Sequence, residues 1–329
     1  MIYIESESFD PHFNLALEQY VFDNLDKNEN YFMLWQNDNA IIVGKHQNTV
    51  AEINAEYTKE NNIKVVRRLS GGGAVYHDLG NLNFTFIVSA GGGYEQFNFS
   101  DFCKPIIELL NSLGVNAVLN GRNDMSIEGK KFSGNSQYAK RGRIMHHGTI
   151  MFDSDLDIVG NSLVVSKDKI QTKGVTSIRS RVTNIKPHMQ TDVSIEEFKR
   201  LLVHHVFKGA EVPQYHLTEE DIKKIEALAS EKYRTWDWNY GSSPKYSVIK
   251  ERRFEGVGGI TLCMDVENGI IKDFDIYGDY FGNGDKSNLK EILVGKQLRK
   301  DVIEDSLKDI CIGDYINKLE KDEFIDLLI

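Results

Sequence analysis

The sequence predicts a two-domain α/β (α+β) protein, with a larger first domain of residues 1–244 and a smaller second domain of residues 245–329. Short apolar runs typical of strands alternate with helix-like stripes through most of the chain. A turn-rich stretch at residues 236–244 interrupts this pattern, and a strand meander followed by helices comes after it. We therefore expect a mixed or antiparallel sheet flanked by helices, followed by a small α+β accessory domain.

Local patterns predict the elements of the first domain. Asp10 before Pro11 predicts a helix start, because aspartate caps an N-terminus and proline suits the first turn. Ser194, three residues before Glu197, predicts a second capped start. We expect strands at residues 1–4, 31–35, 40–43, 63–66, 84–88, 115–119, 125–127, 130–138 and 146–152, and helices at residues 10–25, 54–61, 100–113, 194–207 and 218–232.

The second domain is predicted from a change of pattern. Residues 246–254, 259–266 and 270–277 alternate as the strands of an antiparallel meander do. Asn268 and Gly269 form the two-residue turn typical of a β-hairpin. Helices are expected at residues 286–294, 299–307 and 314–328.

Composition limits the class of ligand. The 329 residues carry a formal net charge of −10, and residues 301–329 hold nine acidic side chains against three lysines. Residues 167–186, in contrast, hold six basic side chains and only one acidic one. An acidic chain with a short basic segment favours a small anionic ligand over nucleic acid, which usually needs a broad positive face.

The chain shows no signal for a membrane or for secretion. No apolar run approaches the roughly 20 residues that span a bilayer, and the first residues lack the basic start of a signal peptide. The three cysteines, Cys103, Cys263 and Cys311, are widely spaced and form no CxxC pair. We therefore expect a reducing, cytoplasmic location and no membrane partner.

A glycine-rich loop at residues 67–82 is the first candidate site. Its glycines are Gly71, Gly72 and Gly73, and its polar side chains include Arg67, Arg68, Ser70, His77 and Asp78. Backbone without side chains lets a ligand approach closely, and open N–H groups can form an anion-binding concavity. The alternative is a hairpin or bulge whose glycines only turn the chain. The polar side chains clustered around the loop favour a binding site over a simple turn.

Lys131 and Asp124 form the second candidate site. Glu128 and Gly129 predict a tight hairpin turn, which brings the lysine near Asn123 and Asp124 on the partner strand. A lysine beside a magnesium-capable aspartate suits the handling of phosphates. The alternative is a solvated strand lysine.

Other polar stretches are interpreted as structural. Because adjacent strand residues point to opposite faces, we expect only one of His146 and His147 to face a pocket. Residues 44–48 are interpreted as a surface turn, and residues 91–93 as a flexible connection. The chain contains no GxxxxGK[ST], no GxGxxG that opens a helix after a strand, and no GxSxG.

The candidate residues belong to a series of ordered motifs. These are Arg67, Arg68 and Ser70 through Asn81, then Asn123 and Asp124, then Lys131, Ser133 and Gly134, then His147, Gly148 and Thr149, and finally Lys173, Gly174, Val175, Ser177, Arg179, Arg181 and Asn184. A further stretch, with Trp238, Asn239, Tyr240, Gly241 and Pro244, leads into the meander of the second domain. Together these residues resemble the lipoate-protein ligase A family.

The resemblance implies a catalytic domain of the biotin and lipoyl ligase type and a two-step reaction. ATP and lipoate would give lipoyl-adenylate and pyrophosphate, and the lipoyl group would then pass to one lysine of a carrier. The implied carriers are lipoyl domains of 2-oxoacid dehydrogenase acyltransferase subunits or the glycine cleavage H protein. ATP and Mg²⁺ are the implied cofactors, with Lys131 as the catalytic residue and Asp124 as the magnesium ligand.

The resemblance also implies two sets of ligand contacts. Lipoate would contact Arg68, Ser70, Gly71, Gly72, Gly73, His77 and His147. ATP or the adenylate would contact Asn81, Asn123, Asp124, Lys131, Lys173, Gly174, Val175, Ser177, Arg179 and Arg181. The basic segment from residue 167 would fold over the adenylate. Ser136 and Tyr138 depart from the family, in which alanine and arginine are common at these places.

Two other functions are compatible with the fold. An acyltransferase could move octanoyl or lipoyl groups between carriers without ATP, but such relatives use a cysteine nucleophile, and no cysteine lies in the motif region. A non-catalytic lipoate or carrier-binding module would have lost Lys131 or Asp124, and both are present. Biotin ligation is disfavoured, because the glycine loop lacks that family's usual pattern.

Overall fold

A computed structural model of the protein describes residues 1–90, 97–163, 178–240 and 248–329. The flexible connection expected at residues 91–93 lies outside these ranges. So does most of the basic segment that was expected to fold over an adenylate.

The predicted elements are largely present. The strands are β1 (Ile2–Glu5), β2 (Tyr31–Trp35), β3 (Ala40–Val43), β4 (Lys64–Arg67), β5 (Val75–His77), β6 (Asn81–Ser89), β7 (Ala117–Asn120), β8 (Asp124–Ile127), β9 (Lys130–Lys140), β10 (Arg143–Met151), β11 (Val248–Phe254), β12 (Gly258–Glu267) and β13 (Ile270–Gly278). The α-helices are α1 (Pro11–Asn24), α2 (Thr49–Glu52), α3 (Ala55–Glu60), α4 (Ser100–Ser112), α5 (Leu156–Ser162), α6 (Ile178–Arg181), α7 (Ile195–Val206), α8 (Glu219–Leu228), α9 (Trp236–Asn239), α10 (Lys286–Leu293), α11 (Lys300–Ser306), α12 (Ile312–Tyr315) and α13 (Lys321–Leu328). A 3₁₀ turn at Lys186–His188 and a π-helical turn at Ala229–Tyr233 complete the set.

The main sheet is mixed, as expected. Its seven strands run in the order β1-β2-β6-β10-β9-β8-β7, with β1 and β2 parallel and the other neighbours antiparallel. A small sheet of β4, β3 and β5 lies beside it and carries the glycine loop between β4 and β5. The fold therefore places the glycine loop and the Lys131 hairpin on separate sheets.

Helices cover both faces of the main sheet. On one face, Phe86 and Phe32 pack in the same core as Phe102 of α4 and Phe198 of α7. On the other face, the core is formed by α1 with α8 and the π-helical turn. Apolar side chains alternate across a strand, so a central sheet with both faces buried needs two such layers.

A buried carboxylate fastens α1 to α8. Asp221 Oδ1 accepts a hydrogen bond from the Tyr20 hydroxyl at 2.5 Å, and Oδ2 accepts one from Tyr215 at 2.8 Å. The same carboxylate accepts from the amide and hydroxyl of Thr218, which completes the capping box of α8. Burial alone would raise the pKa of Asp221, but these hydrogen bonds lower it to about 2.

The second domain packs a three-stranded antiparallel sheet, β11-β12-β13, against α10 to α13. Asn268 and Gly269 both have positive φ, as the predicted hairpin turn requires. The single helix expected at residues 314–328 is wrong. Lys318, with φ of 67°, lies between α12 and α13 and separates them.

The loop at residues 44–48 is not the surface turn that the sequence suggested. His46 is 3% exposed because the second domain lies over it, and Gln47, which bonds to Gly44 and Arg67, is 2% exposed. The His46 ring stacks on Tyr280 with centroids 4.5 Å apart, and His46 O accepts a hydrogen bond from Gly278 N at 2.8 Å. Local turn residues cannot reveal that a distant domain covers them.

Candidate functional site

A pocket of about 260 Å³ crosses the main sheet from β2 to β8. It is lined by Trp35 on β2, Asn83 on β6, His147 on β10, Ser136 on β9 and Asp124 on β8. With strands about 4.8 Å apart, these four steps extend about 19 Å. The length and the mixture of apolar and charged walls suit an elongated ligand with a charged end.

The charged end of the pocket contains the predicted pair. Lys131 Nζ lies 2.8 Å from Asp124 Oδ1, and both side chains are more than a third exposed. Asn123 lies beside them and donates from Nδ2 to Asn135 O at 2.6 Å. The turn at Glu128 and Gly129 has positive φ at both residues, so the predicted hairpin geometry is confirmed.

A buried chain of hydrogen bonds links α1, β6, β10 and the glycine loop below the middle of the pocket. His147 Nδ1 lies 3.0 Å from Glu18 Oε1, and His147 Nε2 lies 2.5 Å from Ser70 Oγ. Glu18 Oε1 also accepts from the Thr85 hydroxyl at 2.5 Å. His147 faces the pocket, whereas His146 packs on Phe102 with ring centroids 4.5 Å apart. The prediction that only one histidine faces a pocket is therefore confirmed.

Arg68 holds the glycine loop in place through hydrogen bonds. Its guanidinium donates to the carbonyls of Ile42, Gly71 and Gly73 and to Ser70 Oγ, at 2.6 to 3.1 Å. Burial lowers the pKa of Arg68 to about 10, so the group stays charged at neutral pH. The loop therefore carries a buried positive charge next to the pocket.

The glycine loop is also the contact point of the second domain. Gly72 N donates to Tyr280 O at 3.3 Å. A Cβ on Gly71 would lie 2.4 Å from the same carbonyl oxygen. These glycines therefore let one backbone approach another, and the Gly72 amide is not available for the expected anion-binding concavity.

His77 lies at the apolar end of the pocket. Its ring centroid is 6.1 Å from that of Trp35, and its Nδ1 lies 3.1 Å from Asn37 Nδ2. Burial, with the nearby charge of Arg68, lowers the pKa of His77 to about 3, so the imidazole is neutral at pH 7. Because the Asn37 amide donates to Nδ1, the proton of the neutral ring lies on Nε2.

The second domain contributes to the pocket wall. Arg122, in the turn before β8, donates to the carbonyls of Val257 and Asp279 and lies 4.3 Å from the Phe281 ring. Arg253 and Asp279 line the pocket themselves. Strand β11 therefore brings an arginine of the second domain to the site.

Most of the predicted site residues that the structure describes line this pocket. Ser70 and Gly71 lie just behind it, bonded to His147 and to the Ser136 hydroxyl, and Asn81 Nδ2 bonds to Asn83. The lining residues from the prediction are Arg68, Gly72, Gly73, His77, Asn123, Asp124, Lys131 and His147.

The remaining predicted contacts belong to the basic segment. Lys173, Gly174, Val175 and Ser177 lie outside the described residues. Arg179 and Arg181 belong to α6, and Arg181 is half-buried. The chain just after α6 reaches the charged end of the pocket, because Thr183 N donates to Lys131 O at 2.9 Å.

Sequence reasoning missed several residues of the site. Glu18 follows Leu17 and lies one helical turn before Val21, beside the apolar stripe of α1, and this position was its only signal in the sequence. Arg253 and Asp279 gave no signal, because their role depends on how two domains meet. The missed residues include Glu18, Trp35, Arg122, Arg253 and Asp279.

The described parts of the chain were compared with the patterns of metal-binding clusters and membrane-spanning helices. No group of three or more metal-capable side chains occurs there, and none of the helices described has the length and apolar character for crossing a bilayer. Asp124 is a single carboxylate, one of whose oxygens is paired with Lys131. That donor fits Mg²⁺ carried in by a phosphate ligand, since Mg²⁺ commonly uses one or two carboxylates plus substrate phosphates.

Comparison with known proteins identifies relatives along the whole chain. Residues 10–207 match the family described as lipoyl protein ligase A/B catalytic domain, and residues 243–328 match the bacterial lipoate protein ligase C-terminus. The lipoate-protein ligase LplJ of Bacillus subtilis is 47% identical over 333 residues, with 100% of both chains covered.

Solved structures share the fold. The Plasmodium falciparum protein LipL1, in complex with lipoate, has a TM-score of 0.80 at 26% identity and covers 99% of this chain and 97% of its own. A bipartite lipoate protein ligase from Thermoplasma acidophilum, described with its E2 lipoyl domain, has a TM-score of 0.63 at 27% identity, with 75% and 98% covered. A lipoate-protein ligase A bound with ATP has a TM-score of 0.61 at 25% identity, with 73% and 98% covered.

Proposed function

The chain belongs to the lipoyl protein ligase A/B family, and we propose that it is an ATP-dependent lipoate-protein ligase. It activates lipoate to lipoyl-adenylate and transfers the lipoyl group to a lysine of a carrier protein. The ligase relatives support the activity, and the ATP-bound relative supports the use of ATP. The matched families also support a domain boundary near residues 244 and 245.

The observation that carries this proposal is the shape and charge of the pocket. Its apolar end, at Trp35 and Ile42, suits the acyl tail and dithiolane ring, and its charged end holds Lys131 and Asp124. Lipoate has these two parts in this order. We therefore assign its carboxylate to Lys131 and its ring to the region of His77, with His147 beside the chain.

The first half-reaction joins two anions, and the cations of the pocket reduce their repulsion. A carboxylate oxygen attacks the α-phosphorus of ATP, and the bond from that phosphorus to the bridging oxygen breaks to release pyrophosphate. Lys131 lies where the two anions meet and stabilises the charge that develops on the phosphate oxygens. Asp124 would hold Mg²⁺, which screens the phosphate charge when bound.

The second half-reaction needs a protein nucleophile from outside the chain. The neutral ε-amine of a carrier lysine attacks the acyl carbon, AMP leaves, and the amine gives up a proton. The Thermoplasma relative was described with an E2 lipoyl domain, which supports lipoyl domains of 2-oxoacid dehydrogenase acyltransferases as acceptors. The glycine cleavage H protein is a second candidate acceptor, and a cytoplasmic location is proposed with them.

The cysteine-dependent transferase is the weaker alternative. All three cysteines of the chain lie within the described residues, and none of them lines the pocket. Burial raises the pKa of Cys103 to about 12 and that of Cys263 to about 11, which opposes formation of a thiolate nucleophile. Cys311 is exposed and lies immediately before α12 in the second domain.

The experiment incubates the purified protein with lipoate, ATP and each candidate lipoyl domain or H protein, and measures carrier mass. We expect a mass gain of one lipoyl group that requires both ATP and lipoate. The control omits ATP and supplies an octanoylated carrier as donor. Modification in that control, with no modification from free lipoate and ATP, would identify a transferase instead of a ligase.

A further inference from the structure

Among the described residues, most cationic side chains of the pocket have a close hydrogen-bond or ion-pair partner within the protein. Arg68 clamps the glycine loop, and Arg122 holds backbone carbonyls of the second domain. Lys131 is paired with Asp124 at 2.8 Å. Arg253 differs from these three, because it is held loosely.

Arg253 projects from β11 of the second domain into the pocket wall and is 44% exposed. Its Nη1 and Nη2 atoms lie 3.3 and 3.4 Å from the same oxygen, Asp279 Oδ2. A strong arginine–carboxylate pair uses both oxygens at about 2.7–2.9 Å. The other oxygen, Asp279 Oδ1, instead accepts from Gly259 N at 2.5 Å. The arginine can therefore exchange this partner for a better acceptor.

We propose that Arg253 binds the β- and γ-phosphates of ATP and holds the pyrophosphate leaving group during adenylate formation. This inference rests on the proposed function. Lys131, on the first domain, serves the carboxylate and the α-phosphate. Arg253 reaches the same pocket from the other domain, so it meets a different part of the nucleotide. A planar guanidinium fork matches phosphate oxygens, of which the leaving group offers several.

The chemical role follows from the direction of electron flow. When the bond between the α-phosphorus and the bridging oxygen breaks, its electron pair stays on that oxygen, and the pyrophosphate gains negative charge. A guanidinium that is always protonated can receive this charge without a proton transfer. Asp279 keeps its hydrogen bond from Gly259 when Arg253 moves, so no buried carboxylate is left unpaired.

Arg252 supplies a matched control. It is the adjacent residue of β11, it carries the same charge, and its guanidinium lies 5.6 Å from the ring of Phe254. It does not line the pocket. Side chains of adjacent strand residues point to opposite faces, so Arg252→Ala removes the same charge from the other face.

The binding experiment uses the full chain and two nucleotides, α,β-methylene-ATP and AMP, measured by calorimetry. We expect Arg253→Ala to weaken binding of the analogue on the order of 10- to 100-fold, since hydrogen bonds to charged groups have this strength. AMP binding should not change, because AMP lacks the leaving group. Arg253→Lys should recover part of the loss, and Arg252→Ala should bind both nucleotides like wild type. Equal affinity of wild type and Arg253→Ala for the analogue overturns the proposal.

The half-reactions distinguish a nucleotide contact from a carrier contact. Pyrophosphate release from ATP and lipoate should slow in Arg253→Ala, whereas transfer from preformed lipoyl-adenylate to a lipoyl domain should keep its wild-type rate. Slowed transfer with normal pyrophosphate release assigns Arg253 to the acceptor protein and overturns the proposal. Calorimetry measures nucleotide binding without turnover. It therefore still tests whether Arg253 contacts the β- and γ-phosphates if the protein proves not to be a ligase. Thermal melts of each variant check the fold.

Discussion

Lys131 reaches Asp124 across a glycine. The ammonium lies 2.8 Å from the carboxylate, although Lys131 pairs with Ser126 in the strand register and Asp124 pairs with Gly134. A Cβ on Gly134 would lie 2.8 Å from Lys131 Nζ. The absence of that atom lets the lysine lie diagonally over the strand and point into the pocket.

We predict that Lys131→Ala lowers the rate of pyrophosphate release by about 10² to 10³ without unfolding the protein. Loss of one preorganised charge at a transferring phosphate has this size of effect. Lys131→Arg should recover little, since the guanidinium is larger and planar. Lys130→Ala is the control, because Lys130 is exposed and adjacent on the same strand. Pyrophosphate release at the wild-type rate from a folded Lys131→Ala protein would mean that Lys131 is a solvated strand lysine with no part in the reaction.

The glycine loop predicts a contrast between two alanine substitutions. Gly71→Ala places a Cβ 2.4 Å from Tyr280 O, so the second domain must move or the loop must distort. Gly73→Ala meets nothing within 4 Å and has no positive φ. We expect the first variant to lose on the order of 1–3 kcal/mol of stability, and the second to melt like wild type. Equal melting temperatures would mean that the loop does not support the second domain in solution.

Ser70 and Ser126 are buried serines with opposite surroundings. Ser70 Oγ bonds to His147 and Arg68, whereas Ser126 Oγ has no hydrogen-bond partner among the described residues. Ser70→Ala should cost about 1–3 kcal/mol, since it leaves two buried groups unpaired, and Ser126→Ala should cost nothing or stabilise. Denaturant unfolding of both variants tests this. A larger loss for Ser126→Ala would contradict it.

Asp221 predicts a pH-dependent stability. Hydrogen bonds from Tyr20, Thr218 and Tyr215 lower its pKa to about 2, against about 3.9 in the unfolded chain. The contribution of Asp221 to the free energy of unfolding is therefore complete above about pH 4, and it is lost as the pH falls toward 2. Asp221→Asn should be about 1–2 kcal/mol less stable than wild type at pH 7.

The difference in the free energy of unfolding between Asp221→Asn and wild type should become smaller between pH 4 and pH 2, where the wild-type carboxyl becomes protonated. Glu220→Gln is the control, because Glu220 is exposed and pairs only with Lys224 among the described contacts. Chemical unfolding at pH 7, 4 and 2.5 measures all three proteins. A difference that stays constant over this range would mean that Asp221 does not titrate as described.

The sequence predicted the parts of the site that depend on local geometry. The turn at Glu128 and Gly129 fixes which residues of β8 and β9 become neighbours, so the pairing of Lys131 with Asp124 could be anticipated. Strand alternation likewise separated His147 from His146. Each of these conclusions needs only a few consecutive residues.

The parts that depend on distant segments were not predictable. Glu18 becomes a partner of His147 only when α1 packs on the main sheet. Arg253 reaches the pocket only when the second domain meets the glycine loop, and the same contact buries His46. No periodicity or turn signal carries that information. The helix expected at residues 314–328 failed for another reason, since a lysine at positive φ gives no signal in the sequence.

The contact between Gly72 and Tyr280 has a consequence for synthesis on the ribosome. The roughly 200 residues between them take about 10–40 s to translate at about 5–20 residues per second. During that interval the nascent first domain can fold, but the ring of His46 and the rings that pack on Phe281 have no cover. These rings of the first domain therefore wait for a cover that only the later-synthesised second domain supplies.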